Sequence, residues 1–331
     1  MPANLTPQYH KAEAEFRRAA TPEEELRCLE AMLREIPKHK GTDKLQAELK
    51  HKISRAKQDV EHHQKTAKKG AVGVRIPRQG AGRAVIIGGP NAGKSQLLRS
   101  LTRATPEVAP YPFTTREPIP GMMPWEDVMV QLIDTPPITA DVFDPHVLGL
   151  VRGADLVLLL ADLGSDDGIG DLQAVLDQFG KSKTRLARES SLDEEDLGVS
   201  YTRTFLVANK IDAPDAADRL QLLHEFCPLD LEEFVISADQ ATGLESLRNA
   251  IYAALDVVRV YTKSPTKKEP DYDRPFTVPR GGTLLDVAEL VHRDLAKNLK
   301  GARVWGTGVH DGSLVRGDYV LHDKDVVEIH T

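Results

Sequence analysis

An α/β architecture, with a mostly parallel sheet and helices on both faces, is what this sequence predicts for its middle, and three observations carry that reading. Apolar runs alternate with amphipathic stretches from Arg83 to about Val260. One run, Ala84 to Ile87, leads into Gly88-Gly89-Pro90-Asn91-Ala92-Gly93-Lys94-Ser95, which fits G-x-x-x-x-G-K-[ST] and opens a helix at Gln96. Another, Thr204 to Ala208, leads into Asn209-Lys210-Ile211-Asp212. Around this middle (83–260) the chain divides into a helical N-terminal region (1–70), a Gly/Arg-rich linker (71–82) and a strand-rich module with one main helix (271–331).

The 331 residues suit two or three domains, and 40% hydrophobic with 28% charged residues fits a soluble globular chain with an ample core. Two cysteines, Cys28 and Cys227, form no disulfide framework and lack metal-ligand spacing, which points to a reducing, cytoplasmic setting. No secretory signal is visible, and the longest apolar run, Leu156 to Ala161, is too short to cross a membrane. The net charge of −7 is unevenly spread. Residues 1–85 hold 18 Lys and Arg against 11 Asp and Glu, so the start is basic (+7) and the remainder acidic (−14). A basic module on an acidic body suggests a polyanionic partner, although two solvated helices would give the same count.

In the N-terminal region, Thr21-Pro22-Glu23-Glu24 places a hydroxyl cap, a proline at the first helical position and an acid nearby. Leu26, Leu29, Leu33 and Ile36 make one apolar face, and Pro37 stops the helix. A second helix from Thr42 carries Leu45, Leu49, Ile53 and Val60, with Lys44, Lys50, Lys52, Arg55 and Lys57 on its other face. Two helices bury little alone, so a hairpin packed on the next domain is expected.

Within 83–260 the predicted strands are Ala84–Ile87, Val128–Ile133, Leu156–Ala161, Thr204–Ala208 and Glu233–Ile236. The predicted helices are Lys94–Arg103, Gly170–Phe179, Ala216–Phe226 and Leu244–Val258. Lys181 to Ser200, acidic around Asp193–Asp196, reads as a solvated loop or helix edge. In the last block Pro275–Val278 reads as a strand, Gly281-Gly282-Thr283 as a turn and cap, and Leu284–Leu295 as an amphipathic helix. Val304-Trp305, Tyr319–Leu321 and Val326–Ile329 read as further strands.

The chemistry of the first loop follows from its residues. Gly88, Pro90, Asn91, Ala92 and Gly93 form a backbone cradle whose N–H groups, with the helix N-terminus at Lys94, Ser95 and Gln96, present positive charge to phosphates. Lys94 reaches toward β- and γ-phosphates as the catalytic cation, and Ser95 is a ligand for Mg²⁺. Asp134, at the end of Val128–Ile133, is placed for the same ion's water shell. In Asn209-Lys210-Ile211-Asp212, the Asp212 carboxylate accepts from both N–H groups on the guanine edge, a donor pair adenine lacks, which favours GTP and GDP over ATP. Asn209 braces the loop, the Lys210 stem covers the base, and Ser237-Ala238 supplies an amide for the guanine oxygen.

Tyr111-Pro112-Phe113-Thr114-Thr115 lies between the phosphate loop and Asp134, and these motifs together resemble the Obg-like GTPases, specifically the developmentally regulated GTP-binding proteins. Val260-Tyr261-Thr262-Lys263, Pro270-Asp271-Tyr272, Val304-Trp305-Gly306, Asp323 and Asp325-Val326-Val327 look like the same branch, and so does the helix Lys44–Asp59. The resemblance implies an Obg-type, P-loop G domain, a C-terminal TGS domain of β-grasp fold, and Thr115 as the switch threonine that binds Mg²⁺ and serves catalysis. It also implies hydrolysis of GTP to GDP and phosphate, which a break in the pattern at Pro137 is expected to make slow, and a ribosome or another RNA-containing partner; a protein activator is left open, and neither membrane nor DNA is expected. The 74 residues between Asp134 and Asn209 leave little room for the family's extra domain. Asn91 sits where some GTPases hold K⁺ beside the phosphates; a simple loop former is the alternative.

The pattern breaks at Asp134-Thr135-Pro136-Pro137, where GTPases read Asp-x-x-Gly. Pro137 has no N–H to offer a γ-phosphate; Ile138 cannot orient water, but an apolar residue there is what the resembled family has, so the departure is the proline. A GTP-binding module with negligible turnover is therefore the rival reading. A TGS module that senses small molecules such as guanine-based alarmones is another.

Overall fold

The computed structural model describes residues 6–19, 22–37, 42–67, 76–102, 117–193, 199–265 and 269–331. The chain opens with three helices, α1 (Pro7–Arg18), α2 (Pro22–Glu35) and α3 (Asp43–Ala67). The first joins the hairpin expected from Pro22 onward. Tyr9, Ala12 and Phe16 of α1 fill a core with Leu29, Met32 and Leu49, so the three helices bury a core of their own. Against the next domain they lean through Arg152, which bonds Glu25 and lies over the Phe16 ring at 5.5 Å. Lys50, Arg55 and Lys57 stay exposed on α3.

The middle contains β1 (Arg83–Gly88), α4 (Lys94–Leu101), β2 (Ile119–Trp125), β3 (Val128–Asp134), α5 (Pro145–Arg152), β4 (Leu156–Asp162) and α6 (Gly168–Lys181). It continues with β5 (Thr184–Ala187), β6 (Ser191–Leu192), β7 (Ser200–Asn209), α7 (Ala216–Phe226), β8 (Glu232–Val235) and α8 (Leu244–Ala254). The described residues form an eight-stranded sheet with the order β2-β3-β1-β4-β7-β5, while β6 and β8 also pair with β7. Strands β3, β1, β4, β7 and β8 run parallel. Side chains alternate across β1: Ala84 and Ile86 face α4 and α8, whereas Val85 and Ile87 face α5, α6 and α7.

The last block begins earlier than the sequence suggests. It comprises β9 (Val257–Thr262), β10 (Asp271–Pro279), α9 (Leu284–Val291), α10 (Arg293–Lys297), β11 (Gly301–Trp305), β12 (Ser313–Val315) and β13 (Asp325–His330). The five strands form a second sheet ordered β10-β9-β13-β11-β12. One face covers Leu284, Val287 and Ala288 of α9. Thr283 and Asp286 close a capping box at its start, so the expected cap is present.

Four element readings need correction. The helix expected through Val258 stops at Ala254, because Val258 and Val260 belong to the second sheet's core. Lys181 to Ser200 contains β5 and β6, which extend the first sheet along β7. The helix expected to Leu295 breaks at His292, whose backbone is extended. Tyr319–Leu321 makes a single bridge from Val320 to Thr283, and the strand in that region is β12.

Candidate nucleotide site

Parallel strands end at one edge, and that topology assembles the site. Gly88 ends β1, Asp134 ends β3, Asp162 ends β4, Asn209 ends β7, and Ser237 follows β8. Residues far apart in sequence therefore meet there.

The glycine-rich loop closes on itself. Lys94 is buried, and its ammonium donates to the carbonyls of Gly88 (3.1 Å) and Gly89 (2.7 Å). Burial pushes the Lys94 ammonium down to about 8, while Asp134 and Asp171 pull it the other way. Ser95 Oγ donates to Asp134 Oδ2 at 2.5 Å. The other oxygen, Asp134 Oδ1, is buried with no hydrogen-bond partner among the described residues, and burial raises the carboxyl above its ordinary range against hydrogen bonds and Lys94. Asn91 takes a left-handed backbone (φ 54°) and is exposed at the loop's tip. Pro90 and Gln96 are half-buried, and Ala92 is buried.

Asn209 joins three loops. Its Nδ2 donates to the Ala92 carbonyl at 2.9 Å, and its Oδ1 accepts from the Ala238 amide at 3.0 Å. The Ala238 N–H expected to face a base is thus already engaged by Asn209. Ser237 is buried and its Oγ accepts from Gln240 N at 3.0 Å. Lys210 takes a left-handed φ of 69° and donates to Asp162 at 2.6 Å. Asp212 is exposed on the turn beyond. Gly93 (φ 91°) has no room for a side chain, since a Cβ would stand 2.3 Å from Asn209 Nδ2.

After β3 the backbone is stitched to the loop's base. Thr135 Oγ1 donates to the Ile86 carbonyl (2.8 Å) and the Ile138 amide to the Gly88 carbonyl (3.2 Å). Ile138 is buried in the core, whereas Pro137 is exposed. Thr115, with Tyr111–Thr114, lies outside the described residues. Two side chains at this edge escaped the sequence reading. Asp162 ends a strand as Asp134 does, and that acid after an apolar run was the available signal. Ser100 Oγ bonds the Ala238 carbonyl at 2.7 Å and left no signal beyond its place on α4.

Residues 83–192 match the family of 50S ribosome-binding GTPases, and residues 258–331 match the TGS domain. Developmentally-regulated G-protein 1 of Arabidopsis thaliana is 30% identical over 368 residues, spanning 92% of this chain and 90% of its own. The chain belongs to the developmentally regulated GTP-binding protein family. It is a GTP-binding protein with a P-loop GTPase domain and a TGS domain. An uncharacterized GTP-binding protein of Methanocaldococcus jannaschii is 28% identical over 363 residues, spanning 93% of this chain and 92% of its own. Both alignments exceed the 331 residues here, so each relative carries stretches with no counterpart in this member of the family. The Schizosaccharomyces pombe YchF GTPase shares the fold at TM-score 0.50 and 14% identity, covering 78% of this chain and all of that one. No helix among the described residues is long and apolar enough to cross a membrane.

Proposed function

We propose that this edge binds Mg²⁺·GTP and hydrolyses it slowly to GDP and phosphate, in association with a ribosome or another RNA-containing partner. The observation that supports it most is the Asn209 bridge, which fixes the phosphate loop, at Ala92, to the Ala238 loop in one geometry. Lys94, leaving the Gly88 and Gly89 carbonyls, would hold the β- and γ-phosphates. Asp212 and Lys210 would hold the guanine. Asp134 Oδ1 and the Ser95 hydroxyl are hard oxygen donors side by side, the first with no partner among the described residues, and that donor set suits Mg²⁺. The ion would supply charge neutralisation between the phosphates. Thr115 is the proposed switch ligand. Asn91, exposed at the loop's tip, is a candidate K⁺ ligand.

A second reading, GTP bound without meaningful turnover, is favoured by the loop after β3. Pro137 offers no N–H, the Ile138 N–H is engaged by Gly88, and the Ile138 side chain is in the core. Phosphate release separates the two, measured with and without ribosomes and in KCl against NaCl. Turnover that rises when Pro137→Gly restores the missing N–H supports slow hydrolysis limited by Pro137. No release under any condition, with GDP and GTP still bound, selects the second reading. Co-sedimentation with ribosomes in GDP and in a non-hydrolysable GTP analogue tests the partner.

A further inference from the structure

The loop after β4 is fastened to the loop after β7 at several points. Lys210 Nζ donates to Asp162 Oδ2 at 2.6 Å, and the Asp162 side chain is only 5% exposed. Its other oxygen accepts from the Gly164 amide at 2.7 Å, so the carboxylate cannot swing away without losing a second bond. The Leu163 amide donates to the Asn209 carbonyl (3.0 Å). Arg219 reaches back from α7 to Asp166 (2.7 Å) and to the Leu163 carbonyl (3.1 Å). The loop is also moulded to the lysine stem: a Cβ on Gly164 would stand 2.8 Å from Lys210 Cδ.

We propose that Asp162 is a positioning residue of the guanine pocket, holding Lys210 so that its alkyl stem is laid out for the base before nucleotide arrives. The inference rests on the guanine-site reading above. A lysine side chain has several rotatable bonds and therefore rotamer entropy to lose. An unanchored Lys210 would lose it on binding, whereas one anchored at a buried carboxylate has lost it in folding, and affinity rises by the difference. The left-handed backbone at Lys210 fits the same reading, because it costs energy and is held by its surroundings.

The test is a double-mutant cycle read by fluorescent GDP titration in Mg²⁺. Asp162→Asn keeps the shape and the acceptor for Gly164 but removes the charge. Lys210→Met keeps the stem but removes the ammonium. Each is expected to weaken GDP by about ten-fold, and the double variant no further, since both break one anchor. Independent structural damage would instead multiply the two losses, and that outcome overturns the proposal. So does an Asp162→Asn protein that binds GDP within about two-fold of the unsubstituted chain. Should Asp162→Asn fail to fold, the more exposed Lys210→Met decides alone by the same thresholds. If the unsubstituted chain binds no GDP, the guanine-site reading falls as well, which sets that failure apart from this one.

Discussion

Asn209 uses both ends of its amide in a buried place, so its removal leaves Ala92 O and Ala238 N without it. A buried group stripped of its partner costs about 1–3 kcal/mol. Asn209→Ala should therefore weaken GDP binding by about ten- to a hundred-fold, read by equilibrium titration; affinity within about two-fold of the unsubstituted chain would count against the bridging role. Lys94 yields a pH prediction. Burial pushes its ammonium down to about 8 in the fold, against the ordinary lysine value of 10.5 when unfolded. Between those values the unfolded chain holds more protons, so this group makes stability rise with pH. Urea midpoints at pH 8 and pH 10 should rise more in the unsubstituted protein than in Lys94→Met. Identical pH dependence would remove the buried ammonium from the account.

At the scale of elements, the Gly88–Ser95 loop works because Gly93 can take φ 91° against Asn209. Gly93→Ala needs both a strained backbone and a displaced amide, so it should abolish measurable GDP binding and lower the melting temperature. Retained affinity would mean that the loop rebuilds. The turn and the helix start at that loop were legible in the sequence because the conformational freedom of glycine acts locally. The same holds for β1, β3, β4 and β7, since strands covered on both faces become continuous apolar runs. Strand β2 was not legible. It is an edge strand with Pro120, Gly121 and Pro124, residues that argue against a strand and are tolerated only where one side needs no partner. β5 and β6 were hidden for a related reason, as short polar pieces held by the long β7. In β9, Val257-Val258 continues the apolar pattern of α8, and only long-range pairing with β10 and β13 makes it a strand.

The whole molecule is joined at a point no local pattern revealed. Arg259, on β9 of the TGS sheet, is 3% exposed and meets the turn between β2 and β3 of the GTPase domain. Its guanidinium bonds Asp323 (2.7 Å), Glu126 (2.5 Å) and Asp127 (2.7 Å), and it lies 5.2 Å from the Trp125 ring, which stacks on Tyr252. Tyr261 adds a bond to Asp127 at 2.5 Å. The same hairpin has Ile119 paired with Asp134, so its two ends touch the candidate nucleotide edge and the TGS domain. Removing one member of a buried ion pair costs about 3–5 kcal/mol, and partial exposure of these carboxylates brings the expectation for Arg259→Met nearer about 2 kcal/mol. Burial alone would raise Asp127 and Asp323, but hydrogen bonds from Tyr261 and Arg259 at the first, and from Arg259 at the second, outweigh it and hold both below the usual carboxylate range. Their contribution is thus complete above the unfolded value of about 4 and is lost as pH falls through the lower folded values. Acidification from pH 5 should loosen the junction only below about pH 4. Trp125 reports it: in a Trp305→Phe background, its emission should shift on acidification, while Arg259→Met should show the shifted emission already at neutral pH. An acid transition unchanged by Arg259→Met would mean that other contacts hold the two domains together.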